Sequence, residues 1–72
     1  MSVRKPKPLD IVWINHKKYY ITIANEDYCQ VTADADYNDF KIVLYENIRF
    51  GEFKKNGKVI LVGDVINPEL LL

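Results

Sequence analysis

"LDIVWINHKKYYITI", residues 9–23, decides the fold, because the length of the turn inside it determines which side chains face inward. Two apolar sets flank "NHK" (15–17): Leu9, Ile11 and Trp13 before it, Tyr19, Ile21 and Ile23 after it. Alternation at period two marks strands with one buried face. A three-residue turn sets Trp13 opposite Tyr19, Ile11 opposite Ile21 and Leu9 opposite Ile23. A two-residue turn pairs Ile11 with Tyr20 and mixes the sets, so the three-residue turn is the expected one.

The alternation continues down the chain. Cys29, Val31, Ala33 and Ala35 form a third set and Phe40, Ile42 and Leu44 a fourth, separated by the turn-forming "NED" (25–27) and "DYND" (36–39). Closing these turns at 25–27 and 37–38 sets Ile23 against Cys29, Ile21 against Val31, Val31 against Leu44 and Ala33 against Ile42. One apolar face then runs across four strands. Asn56-Gly57 within "KKNGK" (54–58) suits a type I′ turn and pairs roughly residues 49–54 with 58–63. Near the end, Asn67 offers a cap, Pro68 a first helical residue and Glu69 an acid behind it, the makings of a short C-terminal helical turn.

Phe53, Ile60 and Val62 of the last hairpin also want burial. The second face of the meander, with Val12, Ile14, Tyr20, Thr22, Thr32, Val43 and Tyr45, is semi-apolar and can receive them. The expected fold is therefore mainly β: a small antiparallel meander of five or six strands closing into a barrel or sandwich. The opening "MSVRKPKP" is basic, holds two prolines and lacks apolar periodicity. It reads as a flexible arm over residues 1–8, with residues 9–72 as a single small β domain.

Composition narrows the function. With 49% hydrophobic and 28% charged residues the chain is built to fold, but 72 residues bury only about 60% of their unfolded surface, which favours help from a partner. Ten bases cancel ten acids, which removes the strongly basic signature of a dedicated nucleic-acid binder. The charges are nevertheless segregated: residues 1–20 carry a net +4 and residues 21–40 a net −5. Cys29 is alone and has no internal disulfide partner, and no 18-residue apolar stretch is present, so a reducing cytoplasm is expected and a membrane is not.

The chemistry-bearing residues are few. "DADYNDFKIVLY" (34–45) begins like a calcium loop, with Asp34, Asp36 and Asn38 at the first three ligand positions. Asp39 stands where that loop needs glycine and Tyr45 where it needs glutamate. A hairpin turn is expected instead, with Asp34 facing Lys18 and Lys41 on the neighbouring strands. His16 and Cys29 do not make a nucleophile and base, because the turn places His16 near Asp36 and roughly 20 Å along the strand from Cys29. Cys29 belongs to the apolar face, where a thiol behaves as a small hydrophobe. Phosphate loops, paired zinc cysteines, HExxH and GxSxG are absent from the sequence. No catalytic residue, metal site or cofactor is expected.

One family likeness is present. "INHKKYYITIANEDY" (14–28) followed by "TADADYNDFKIVLYE" (32–46) resembles the amino-terminal strands of ImmA/IrrE-type metallopeptidase proteins encoded by phages and mobile elements. In that family a similar hairpin precedes a helix bearing HExxH. The motif is missing here, so the resemblance implies a phage or mobile-element origin and no protease activity.

The expected function is a non-enzymatic protein-binding module, an inhibitor or modulator of a host protein. Tyr20 and Tyr45, with Val12 and Val43 beside them, are the candidate interface. Strand edges offer a route to a homo-oligomer. The alternative is a small β-barrel nucleic-acid-binding protein using Arg4, Lys5, Lys7, Lys17, Lys18, Lys54, Lys55 and Lys58 around the two tyrosines.

Overall fold

The computed structural model describes residues 5–71. Its strands are β1 (Ile11–Ile14), β2 (Lys17–Ala24), β3 (Tyr28–Ala33), β4 (Asp36–Leu44), β5 (Ile48–Lys55) and β6 (Lys58–Val65). A 3₁₀ turn over Tyr45–Asn47 links β4 to β5, and a second covers Pro68–Leu70. The latter is capped as expected: the Asn67 side chain accepts from the Glu69 N–H at 3.2 Å. The strands form one sheet in the order β4-β3-β2-β1-β6-β5.

The sheet is mainly antiparallel but mixed, because β6 pairs parallel with β1, Ile11 beside Val62 and Val12 beside Gly63. It does not close into a barrel, since β4 and β5 end the strand order and are not bonded to each other. The expected closed barrel or sandwich is corrected on this point. The last hairpin forms in the expected register, with Lys55 beside Lys58 and positive φ at Asn56 (53°) and Gly57 (79°). Instead of lying across the meander, it extends the sheet through β1.

A lone sheet buries one face only by curling. Here the two end strands, β4 and β5, are consecutive in the chain and joined by just the Tyr45–Asn47 turn. Strand-to-strand twist of roughly 20–25° accumulates past 100° over five interfaces, which brings the end of β4 round to the start of β5. The shortest dimension, 21 Å, exceeds the thickness of a flat sheet accordingly. The concave face holds the core: Val12, Ile14, Tyr19, Ile21, Cys29, Val31, Ala33, Val43 and Ile48. Each full burial of such an aliphatic side chain contributes about 1.5–3 kcal/mol.

Three local features reverse parts of the expected register. First, β1 and β2 are joined by two residues, Asn15 (φ 49°) and His16 (φ 67°), both left-handed as a type I′ turn requires. Ile11 therefore faces Tyr20, Val12 faces Tyr19 and Trp13 faces Lys18. Val12 and Ile14 are inside, while Trp13 and Leu9 are exposed. The twist-matched turn outweighs the apolar count, because Val12 and Ile14 fill the core as well as Ile11 and Trp13 would.

Second, Ile21 meets Val31 as expected, but an irregularity between Ile21 and Ile23 moves Ile23 opposite Gln30 and leaves Ala24 to face Cys29. Third, β3 turns into β4 at residues 34–35 rather than 37–38. Thr32 then pairs with Phe40 and Ala33 with Asp36, leaving residues 37–39 as a bulge. The Asn38 N–H donates to Asp36 Oδ1 at 2.9 Å, an Asx turn that satisfies the bulged backbone locally. Beyond the bulge, Val31 faces Lys41 and Cys29 faces Val43, so Val43 is buried while Phe40 and Leu44 are exposed.

Two polar anchors hold β6, one at its middle and one just past its end. Asp10, 1% exposed, accepts from the Leu61 N–H through Oδ1 (3.2 Å) and from the Lys7 N–H through Oδ2 (2.9 Å). Asn47 pairs with the backbone of Asn67 in both directions, each bond 2.9 Å. Of the expected arm over residues 1–8, residues 1–4 lie outside the described residues, and Lys7 is tied down by Asp10.

Candidate functional site

The convex outer face carries the candidate site. Following the registers, one row crosses all six strands as Phe40, Thr32, Tyr20, Ile11, Val62 and Gly51. Beside it run Ile42, Gln30 and Ile23 on one flank, and Trp13, Asp64 and Arg49 on the other. Trp13, Ile23, Tyr28, Phe40, Leu44 and Phe53 are all at least one-third exposed there. An apolar face of this extent exceeds the scatter of single exposed hydrophobics that needs no explanation.

Tyr20 sits near the middle of the row. The Lys18 Nζ lies 5.0 Å from its ring centroid, a cation–π contact, and the partnership with Tyr20 raises the Lys18 pKa. Next to Tyr20 a groove of about 400 Å³ opens, lined by Leu9, Thr22, Thr32, Asp34 and Tyr37 among others. Leu9 (77% exposed, φ 79°) and Tyr37 (90% exposed) stand on its rim. The entry bend into β1 and the β4 bulge position these two side chains.

The structure separates the four residues expected to form the interface. Tyr20 opens on the outer face, whereas Val12 (0% exposed) and Val43 (1%) are core residues out of any partner's reach. Tyr45 packs against the core with its ring centroid 6.4 Å from that of Phe50, and burial pushes its hydroxyl pKa up. The basic set is divided too. Lys7 and Lys58 border one recess near the β5–β6 tip, which also carries Lys54 and Lys55. Lys17 and Lys18 lie at the other end of β1, six β6 steps or roughly 20 Å from Lys58. Lys5 borders a recess with Asn25, Glu26 and Tyr45, and Arg4 lies outside the described residues.

The acidic stretch is occupied by protein partners. The β4 bulge turns Asp39 toward β2, where its Oδ2 accepts from Lys17 Nζ (2.5 Å) and the Tyr19 hydroxyl (2.9 Å) while Oδ1 lies 3.4 Å from Lys41. The Lys17 hydrogen bond, then the Tyr19 one, lower the Asp39 pKa to about 2. Lys41 thus pairs with Asp39 and not with Asp34, as the displaced turn requires. Among the described residues no group of three or more His, Cys, Asp or Glu side chains is arranged to hold a metal ion.

Cys29 is fully buried, and burial pushes its thiol up to about 11, away from thiolate character at neutral pH. It faces Ala24 at one end of β2, whereas His16 adjoins Lys17 at the other, seven residues or roughly 23 Å away. The two form no catalytic pair.

Asp10, Asn47 and the outward placement of Trp13 were not foreseen from sequence. Asn15 as the first residue of a two-residue connection was the available signal for Trp13, since Asn accepts the left-handed conformation. Comparison with protein-family models, curated proteins and solved structures finds no match.

Proposed function

We propose that the chain is a non-enzymatic protein-binding module that docks through the convex outer face of its sheet. The observation that carries this reading is the run of exposed aromatic and aliphatic side chains, Trp13, Ile23, Tyr28, Phe40 and Phe53, around Tyr20 on a face that nothing in the described residues covers. Aromatic anchors dominate protein interfaces, and a convex apolar ridge fits a partner's cleft. By parity this face carries Lys18, Arg49, Lys55 and Lys58 against Asp64, but the lysines of the nucleic-acid alternative are split between two ends of the sheet. The narrower role, a mobile-element modulator of a host protein, rests on the resemblance of residues 14–46 alone.

The test compares capture of partner proteins by the wild type, a Trp13→Ser, Phe40→Ser variant and a Lys54→Ala, Lys55→Ala, Lys58→Ala variant, each shown to be folded by circular dichroism. The expected result is loss of capture in the first variant, retention in the second and weak dependence on salt. Retention in the first variant, with binding that falls steeply with salt and disappears in the lysine variant, would instead establish phosphate contacts.

A further inference from the structure

The sheet ends in two strand edges, and they differ in character. On the free side of β5 the outward backbone groups follow from one hydrogen bond. Ile66 N–H donates to the Asn47 carbonyl (2.8 Å), so the odd-numbered residues of β5 bond to β6 and the groups of Ile48, Phe50, Glu52 and Lys54 point away. That strand carries Arg49, Glu52, Lys54 and Lys55, the kind of charged edge that discourages further pairing.

The β4 edge is different. Tyr45 N–H donates to the Asp27 carbonyl (3.0 Å), which makes Cys29–Val43 and Val31–Lys41 the bonded pairs with β3. The N–H and C=O groups of Phe40, Ile42 and Leu44 therefore point to the free side. Their side chains stand on the outer face, Phe40 55% and Leu44 41% exposed. The first half of β4 is closed to pairing by its bulge and Asx turn. In the second half the one charge, Lys41, is held at 3.4 Å by Asp39. A five-residue, mostly apolar edge remains, its one charge paired.

We propose that residues 40–44 of β4 pair antiparallel with the same segment of a second copy of this chain, on a two-fold axis through Ile42. The segment is self-complementary in that register. Ile42 meets Ile42 of the second copy, Phe40 meets its Leu44, and Lys41 meets its Val43, so no like charges oppose. The outward groups at 40, 42 and 44 match in phase, because an antiparallel ladder bonds alternate residues. The result is a continuous sheet across two chains with the apolar outer rows joined. The pairing is short, so the dimer forms by mass action at high concentration and dissociates on dilution. It shares Phe40 with the outer-face docking proposed above but concerns a different partner, and its test variants are at Ile42, which the docking test leaves untouched.

Sedimentation of the full chain from about 10 µM to about 1 mM, together with amide hydrogen exchange, provides the test. The expected result is a mass rising from 8.4 kDa toward twice that value. The amides of Phe40, Ile42 and Leu44 should slow by about tenfold while those of Phe50, Glu52 and Lys54 stay unchanged. Ile42→Pro deletes an outward N–H that makes no bond to β3, which edge strands tolerate, and should remain monomeric throughout. Ile42→Lys, which sets two cations on the axis, should do the same and decides the matter if the proline variant fails to fold. A constant mass of 8.4 kDa, a dimer that persists in the folded variants, or protection confined to the β5 amides would overturn the proposal.

Discussion

Replacing Asp10 with alanine tests the tie that holds β1 against β6. The carboxylate is 1% exposed and accepts the N–H groups of Leu61 and Lys7. Leu61 is 0% exposed, so its N–H has no access to water once the acceptor is removed. Two hydrogen bonds at about 1 kcal/mol net each, plus an orphaned buried donor at about 1–3 kcal/mol, give a loss of about 3 kcal/mol after allowing for Lys7 turning to solvent. A domain of this size holds about 4–11 kcal/mol in all, so the loss is a large share. The melting temperature should fall by about 12–24 °C. Urea unfolding should show a lower midpoint with an unchanged slope. Asp10→Asn, which keeps an oxygen for Leu61, should lose about 1 kcal/mol, and Asp64→Ala on the outer face less than about 0.5 kcal/mol. A cost below about 0.5 kcal/mol for Asp10→Ala would refute the tie.

Three further outcomes are expected. Gly63→Ala should cost about 1–3 kcal/mol by urea unfolding, because the new Cβ would overlap Ile48 Cγ2 and the Phe50 ring. Gly51→Ala, whose Cβ meets Phe53 at an ordinary 3.5 Å, should change stability by less than about 0.5 kcal/mol. Asp39 has a folded pKa near 2, below its ordinary 3.8, so its contribution is complete above about pH 4 and is lost as pH falls through 2. The stability difference between wild type and Asp39→Asn should therefore shrink over that window, and a constant difference would count against the Lys17–Asp39–Tyr19 cluster. Native Cys29 should react with thiol reagents only as fast as the protein unfolds, and labelling at the rate of a free peptide thiol would contradict its burial.

The strands themselves were legible in the sequence because period-two alternation is a local signal. The Asn56-Gly57 hairpin and the Asn67 cap were legible for the same reason. Which face each strand buries was less so. Val12 and Ile14 interleave with Ile11 and Trp13, so β1 is apolar on both sides and its parity decides nothing. Only the handedness of the Asn15-His16 turn does. In β4, three bulged residues reverse the parity that Phe40, Ile42 and Leu44 advertise, and the Asx turn that stabilises the bulge looks in sequence like any polar loop. The parallel β1–β6 pairing depends on contacts between residues about fifty positions apart, Asp10 with Leu61 above all, which no local pattern announces. The candidate site inherited these errors: Tyr20 was placed on the open face, but Val12 and Val43 were assigned to it through the wrong parity.

Whether the outer face is open is the claim on which the functional reading depends, and nuclear Overhauser contacts in the labelled full chain measure it directly. Cross-strand contacts are expected between Ile11 and Val62 and between Val12 and Gly63 in the pattern of a parallel pair. The Phe53 and Ile60 side chains should contact each other and their sheet neighbours, with none to Thr22, Thr32 or Phe40. Contacts from Phe53 or Ile60 to those three residues, with the β1–β6 pattern missing, would mean that the last hairpin folds across the meander and closes the face.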